Sequence, residues 1–229
     1  MRILAIDASC GAASAAIVAS DEMEPIAVMT RPMARGHAEA LAPMVEEVAR
    51  ALNGGLDSLD RIAVTIGPGS FTGIRVGVAM ARAMGLALEI PVVGVSTLAA
   101  FAAPMLSAPR PGVIAAAVDA RHGSIYFQLF DQTGRPLGPP RCDSLRECVR
   151  GIGAGPALLS GDAATLVATE AHRVGLPYDL GAATDTPDVV AVARLGLALD
   201  PVGNPARPLY IKPPDAKPNS VQPIARAPA

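Results

Sequence analysis

Residues 67–77 read Gly67-Pro68-Gly69-Ser70-Phe71-Thr72-Gly73-Ile74-Arg75-Val76-Gly77. An apolar run, Ile62 to Ile66, precedes them and predicts a buried strand; an Ala- and Met-rich run, Val76 to Leu88, follows and predicts a helix. Gly67, Pro68 and Gly69 demand a tight turn between the two. Ser70 stands where an N-cap hydroxyl belongs. A strand, a glycine-rich turn and a helix start bring free backbone N–H groups together, which can hold an anion or simply make a well-capped turn. The stretch is not a Walker A loop, because no lysine precedes position 212. Glycines at 67, 69, 73 and 77 do not fit the dinucleotide fingerprint either.

Outward from this turn, strands are expected at 1–8, 14–20 and 25–31, then a helix over 36–52. Leu41, Met44, Val45, Val48 and Leu52 form its apolar stripe, and Pro43 should bend or delay its first turns. A strand at 61–66, a helix over 70–88 and a strand at 91–96 follow. Val113 to Asp119 then repeats the opening theme: a strand ending in aspartate turns through 120–123 into a second strand, Ser124 to Phe130, as Leu4 to Val18 does around Asp7. This predicts a duplicated α/β fold of two mixed sheets covered by helices, the first in 1–106 and the second in 107–203, with further helices at 162–173 and 187–199. Eight prolines from 201 onward make 204–229 an extended segment, anchored near Leu209-Tyr210-Ile211.

Composition narrows the function classes. Hydrophobic residues make up 51% of the 229 and charged residues 17%, so the chain is globular. The apolar region Val76 to Leu106 contains Arg82, Glu89 and Pro91, which argues against a membrane span, and the opening residues read as a strand and not as a signal peptide. Cys10, Cys142 and Cys148 lack CxxC spacing, and His37, His122 and His172 are far apart; we expect a reducing, cytoplasmic setting, no metal and no cofactor. A net charge of −2 makes strong independent RNA binding unexpected.

On the helix after the turn, Gly73, Gly77, Ala81 and Gly85 form a ridge of small residues. Each helical glycine costs about 1 kcal/mol against alanine, so close approach of another backbone is expected, from the underlying sheet or from a partner. Met80 and Met84 lie elsewhere on this helix and suit an adaptable contact surface. The ridge and the stripe of helix 36–52 together exceed what one small sheet face requires, so one of the two is expected to point outward.

ILAIDAS at 3–9, RGHAEALAPMVEEV at 35–48, GPGSFTGIRVG at 67–77, PVVGVSTLAA at 91–100, VDARHGSIYFQLF at 118–130 and PLYIKPPDAK at 208–217 together resemble the bacterial TsaB family, also called YeaZ. The resemblance runs through nearly the whole chain, in order. It implies the duplicated actin/Hsp70-like fold. It also implies a role in making threonylcarbamoyladenosine beside the tRNA anticodon, as the non-catalytic partner of TsaD, with TsaE as the ATPase of the assembly. TsaD-like chains carry a His-x-x-x-His metal pair after the strand matching 91–96; here the run is Ser96-Thr97-Leu98-Ala99-Ala100-Phe101, so no catalytic residue is assigned and a pseudo-enzyme subunit is expected. The partner interface is expected at Leu41, Met44, Val45, Val48, Gly73, Gly77, Met80, Ala81 and Met84, as a helical bundle with TsaD or, when the chain is alone, with a second copy. Transfer RNA is contacted only indirectly. Asp7, Gly67, Gly69, Ser70, Thr72 and Asp119 are the candidates for a vestigial anion or nucleotide site, set against the reading in which Asp7 and Asp119 simply cap their own hairpin turns; the alternative function is an actin-fold ATP-binding small-molecule kinase or ATPase.

Overall fold

The computed structural model describes residues 1–107, 111–181 and 184–212. In chain order the elements are β1 (Arg2–Asp7), β2 (Ala12–Ala19), β3 (Ala27–Pro32), α1 (His37–Ala49), β4 (Arg61–Gly67), α2 (Phe71–Ala87), β5 (Val92–Ser96), α3 (Thr97–Ala102), β6 (Val113–Asp119), β7 (Ser124–Phe130), β8 (Arg141–Ser144), α4 (Leu145–Ile152), β9 (Ala157–Ser160), α5 (Ala164–Arg173), β10 (Tyr178–Leu180) and α6 (Val189–Ala198). The first sheet has the order β3-β2-β1-β4-β5 and the second β10-β9-β6-β7-β8. Read from the opposite edge, the second is β8-β7-β6-β9-β10, which is the first repeated with every strand advanced by five. In each sheet the hairpin is antiparallel and the pairs made through helices are parallel. The helices repeat as well: α1, α2 and α3 follow β3, β4 and β5, as α4, α5 and α6 follow β8, β9 and β10. This is the duplicated actin/Hsp70-like fold that the family resemblance implies; the two aspartate-tipped hairpins point to the duplication alone.

Strand β1 is buried on both faces, with Ile3, Leu4, Ala5 and Ile6 fully inaccessible. Alternation sends Leu4 and Ile6 into the core beneath α1 and α2 and Ile3 and Ala5 into a second core beneath α6. Helix α6, at the end of the stretch 107–203, therefore packs on the first sheet: Val189, Val192 and Ala193 meet Ile3, Ala5, Ala16 and Val18. Reciprocally, Leu98, Phe101 and Ala102 of α3 cover Ile114, Ala116 and Val118 of the second sheet. Helix α6 is thus lent to the other half, while α3 lies between the two, with Ala100 in the core of the first sheet and Leu98, Phe101 and Ala102 on the second. Two polar staples hold the exchange. The Arg61 Nη1 group donates to the Gly196, Leu197 and Leu199 carbonyls at 2.9, 3.3 and 2.9 Å, closing the C-terminus of α6. The Ser160 hydroxyl donates to the Phe101 carbonyl at 2.7 Å. Gly196 is required where α6 crosses β4, since a Cβ there would fall 2.5 Å from the Ala63 Cβ.

The expectation that one helix face points outward does not hold. Leu41, Met44, Val45 and Val48 are buried, and so are Gly73, Gly77, Ala81 and Gly85. The reason is the width of the sheet. Neighbouring strands lie about 4.8 Å apart, so five strands give a face roughly 20 Å across, which seats two helices spaced 8–10 Å apart. Helix α1 lies over β2 and β3 and α2 over β1 and β4, in contact with each other. The interface assigned from sequence to Leu41, Met44, Val45, Val48, Gly73, Gly77 and Ala81 is thus withdrawn: these side chains belong to the chain's own core. Met80 and Met84 are half-buried at the edge of that core and remain reachable.

The last described segment runs beside the open edge of the first sheet. Val93 bridges Pro205, the Gly94 N–H donates to Asn204 at 2.9 Å, and the Leu209 N–H donates to Ile66 at 2.8 Å. This anchors the region around Leu209 as expected; residues 213–229 lie outside the described part.

Candidate functional site

Ser70 caps α2 as anticipated, its Oγ accepting from the Gly73 N–H at 3.2 Å. The turn before it, however, is pressed onto the end of β1 and is not an open cradle. A Cβ on Gly69 would lie 2.1 Å from the Ser9 carbonyl oxygen, and one on Gly73 would lie 1.9 Å from that of Ala8. The Ser70 N–H donates to Ser9 at 2.7 Å. The glycines let two backbone segments of the same chain touch, and two of the N–H groups that an anion would seek already have partners. Gly67, in the left-handed region at φ 106°, makes the bend out of β4, and Thr72 is exposed on the first turn of α2.

Asp7 is fully buried. Its Oδ1 accepts from the Ser9 N–H at 3.0 Å, the Ser9 hydroxyl at 2.6 Å and the Thr65 hydroxyl at 2.6 Å; Oδ2 accepts from Thr186 at 3.0 Å. One carboxylate thereby ties β1 to β4 and to the segment before α6. Asp119, its counterpart at the end of β6, is exposed, and its Oδ1 accepts from the Arg121 N–H at 2.7 Å as the closing bond of its own hairpin.

Between these two aspartates stand Asp162 and Asp185, which the sequence reading did not single out. Asp162 sits in the turn between β9 and α5, the equivalent of the 67–70 turn, and accepts from the Asp119 N–H at 2.9 Å. The repeat extends to the backbone: a Cβ on Gly161 would fall 2.0 Å from the Ala117 carbonyl oxygen of β6. Burial pushes the Asp162 carboxyl up to about 6, and the Asp119 and Asp185 carboxylates add to this. Burial, then Asp7 and Asp162, push the Cys10 thiol well above its ordinary range, so it is not an activated nucleophile. The junction between the halves is therefore an acidic seam whose inner carboxylate is committed to structure. The readable signal for Asp162 was the strand–Gly–Asp–helix order of Ala157 to Leu166.

The outward side of α2 is the most apolar exposed helical surface of the first half. Val76, Met80 and Met84 are half-buried, Ala79, Ala83 and Ala87 are exposed, and Leu86 is 83% exposed. Val76, Ala79/Met80, Ala83 and Leu86/Ala87 recur at three- and four-residue spacing, which makes a seam for a second helix, and the alanines permit close approach. At its N-terminal end the Arg75 guanidinium lies 3.8 Å from the Phe71 ring centre and donates through Nε to the Tyr210 hydroxyl at 2.8 Å; the two rings are 5.7 Å apart. The C-terminal segment is clamped beside this seam.

Comparison with known proteins agrees with this architecture. A family model described as TsaD: tRNA N6-adenosine threonylcarbamoyltransferase matches residues 26–179. The tRNA threonylcarbamoyladenosine biosynthesis protein TsaB of Haemophilus influenzae is 33% identical over 127 residues, 56% of this chain and 52% of that protein. The chain thus matches about half the length of that curated relative. An uncharacterized protein of Mycobacterium tuberculosis is 32% identical over 222 residues, 96% of this chain and 95% of that one. The solved structure of YeaZ from Pseudomonas aeruginosa superposes with a TM-score of 0.71 at 26% identity, covering 91% of this chain and 99% of that one. The chain belongs to the TsaB (YeaZ) family. In this TsaB-family chain α3 follows β5 directly. Its Thr97, Leu98, Ala100 and Phe101 are buried in the core, so that helix is used for packing the two halves together. Among the described residues no group of three or more His, Cys, Asp or Glu side chains is placed to hold a metal ion, and no helix is long and apolar enough to cross a membrane.

Proposed function

We propose that this chain is a non-catalytic subunit in the formation of threonylcarbamoyladenosine on tRNA. It would bind and activate a TsaD-like transferase by laying the outward faces of α2 and α1 against the matching helices of that subunit, with a TsaE-like ATPase joining through the complex and a second copy of the chain taking the same face when the transferase is absent. The names of its curated relatives support the pathway. The observation that carries the subunit role is the seam on α2: Val76, Ala79, Met80, Ala83 and Leu86 leave an apolar helix face uncovered by the chain itself. The non-catalytic reading is supported by how the candidate chemistry is spent. Asp7 is saturated by four hydrogen bonds, Gly69 and Gly73 are closed against β1, and α3 is core. The same facts weigh against a kinase or ATPase reading, in which Asp7 and the 67–73 turn would have to face phosphates.

The test is reconstitution with the TsaD-like subunit of the same organism. Transfer of the threonylcarbamoyl group to tRNA should require both chains. Ala83→Glu puts a carboxylate on the exposed seam without touching the core, and it should abolish co-elution and activity while the variant melts as the parent does. Modification of tRNA by this chain alone would overturn the non-catalytic role. Undiminished pairing of Ala83→Glu would overturn the assignment of the face.

A further inference from the structure

On the outer side of the second half, α4 and α5 flank a cavity of about 420 Å³, within the size range of small-ligand sites. Arg146 and Arg150 of α4 and Arg173 of α5 line it, with Glu170 as their acidic companion. Glu170 grips Arg173 through two bonds, Nε–Oε2 at 2.8 Å and Nη2–Oε1 at 2.6 Å, and Arg146 Nε stands 3.9 Å from Oε1. The Arg150 guanidinium has no hydrogen bond or ion pair among the described residues. Among the lining residues three guanidinium groups stand against one carboxylate, and Glu147, one turn before Arg150 on α4, offsets part of the remaining positive charge. Helix termini account for two of the three: Arg150 and Arg173 lie in the last turns of α4 and α5, where the dipole favours cations. Arg146 does not fit that account, since it is the second residue of α4, at the positive end. The rest of the wall is apolar, with Val174 more than half exposed at the mouth and Leu176 buried beneath.

We infer that this cavity binds a small organic phosphate, a phosphomonoester whose dianionic head meets Arg146, Arg150 and Arg173 while an apolar body rests on Val174 and Leu176. A phosphomonoester carries close to two negative charges at neutral pH, which suits the surplus of cations on this wall, and guanidinium forks suit its oxygens. The concave, partly apolar wall favours a small molecule over an extended polynucleotide backbone. The proposal is independent of the seam on α2, which lies in the other half.

The experiment is calorimetric titration of the intact chain with phenyl phosphate, with inorganic phosphate, benzoate and hexauridylate in parallel. Phenyl phosphate should saturate one site more tightly than inorganic phosphate, which lacks the apolar body, and than benzoate, which has one charge. Arg150→Gln should weaken it about tenfold or more, the loss of one charge-assisted contact. Val174→Glu, which adds a carboxylate at the exposed mouth, should do the same and serves if Arg150→Gln does not fold. Absence of saturable binding, binding indifferent to the variants, or hexauridylate binding as tightly with the same Arg150 dependence would each overturn the proposal.

Discussion

Alanine at Gly77 and alanine at Gly73 should move stability in opposite directions, although both glycines lie on one ridge of α2. In a helix interior the exchange gains about 1 kcal/mol from propensity alone. At Gly77 the new methyl would sit 3.5 Å from Val64 Cγ2 and 4.0 Å from Ala8 Cβ and Ile6 Cγ2. These are ordinary contacts, so the propensity gain survives and Gly77→Ala should stabilise by about 1 kcal/mol. At Gly73 the methyl would fall 1.9 Å from the Ala8 carbonyl oxygen and 3.0 Å from its carbon. Neither side can retreat freely: Ala8 follows Asp7, which is held from Ser9, Thr65 and Thr186, and α2 is packed along its length on the sheet. Overpacking of this kind costs about 1–3 kcal/mol or more. Because the obstacle is backbone, Gly73→Ala should lose at least about 2 kcal/mol net. Urea denaturation followed by circular dichroism measures both, and the midpoint shift at unchanged slope gives the sign. A shift of the same sign and size in both variants would refute the claim that the Gly-rich turn exists to let α2 touch the end of β1.

Asp162 supplies a signed pH dependence. Its carboxyl rises from 3.8 to about 6 on folding, so the folded chain holds that proton more tightly, and its contribution to stability falls as pH rises from about 4 through about 6. Asp162→Asn keeps an oxygen for the Asp119 N–H; it should raise stability by about 1–3 kcal/mol near pH 8 and by nothing near pH 3.5, as read by paired melts. Arg61→Gln removes the clamp on the three carbonyls of α6 and should cost about 1.5–3 kcal/mol, with faster amide exchange in α6 than in α1. Tyr210→Ala should release the C-terminal segment from Phe71 and Arg75, seen as earlier proteolysis after Arg207 with a loss of about 1 kcal/mol or less.

The first half of the fold was legible because its elements are long and their signals are local. The stripe from Leu41 to Leu52 and the strand–turn–helix at 61–88 carry period and punctuation together. The second half hid β8, α4, β9 and β10, which are three to eight residues long, too short for periodicity to emerge. A signal for α4 was nevertheless present, the capping box Ser144–Glu147. The site was harder. A sequence shows that Gly73, Gly77 and Ala81 share a ridge, but whether the ridge meets a sheet or a partner depends on how many helices one sheet face can seat. The seam Val76, Ala79, Met80, Ala83 and Leu86 was legible only by subtraction, once the buried face was known. Asp162 reaches Asp119, and Asp185 comes near Asp162, through tertiary folding alone.

The crossing of α3 and α6 bears on how such a molecule arises. A single repeat ending in its last helix would leave a side of that helix bare; two copies would cover it for each other. Joined end to end, the pair becomes one polypeptide whose halves are each other's missing part, a domain-swapped dimer made permanent. Cutting the chain near residue 107 should therefore yield two fragments that are insoluble apart and regain structure only when mixed.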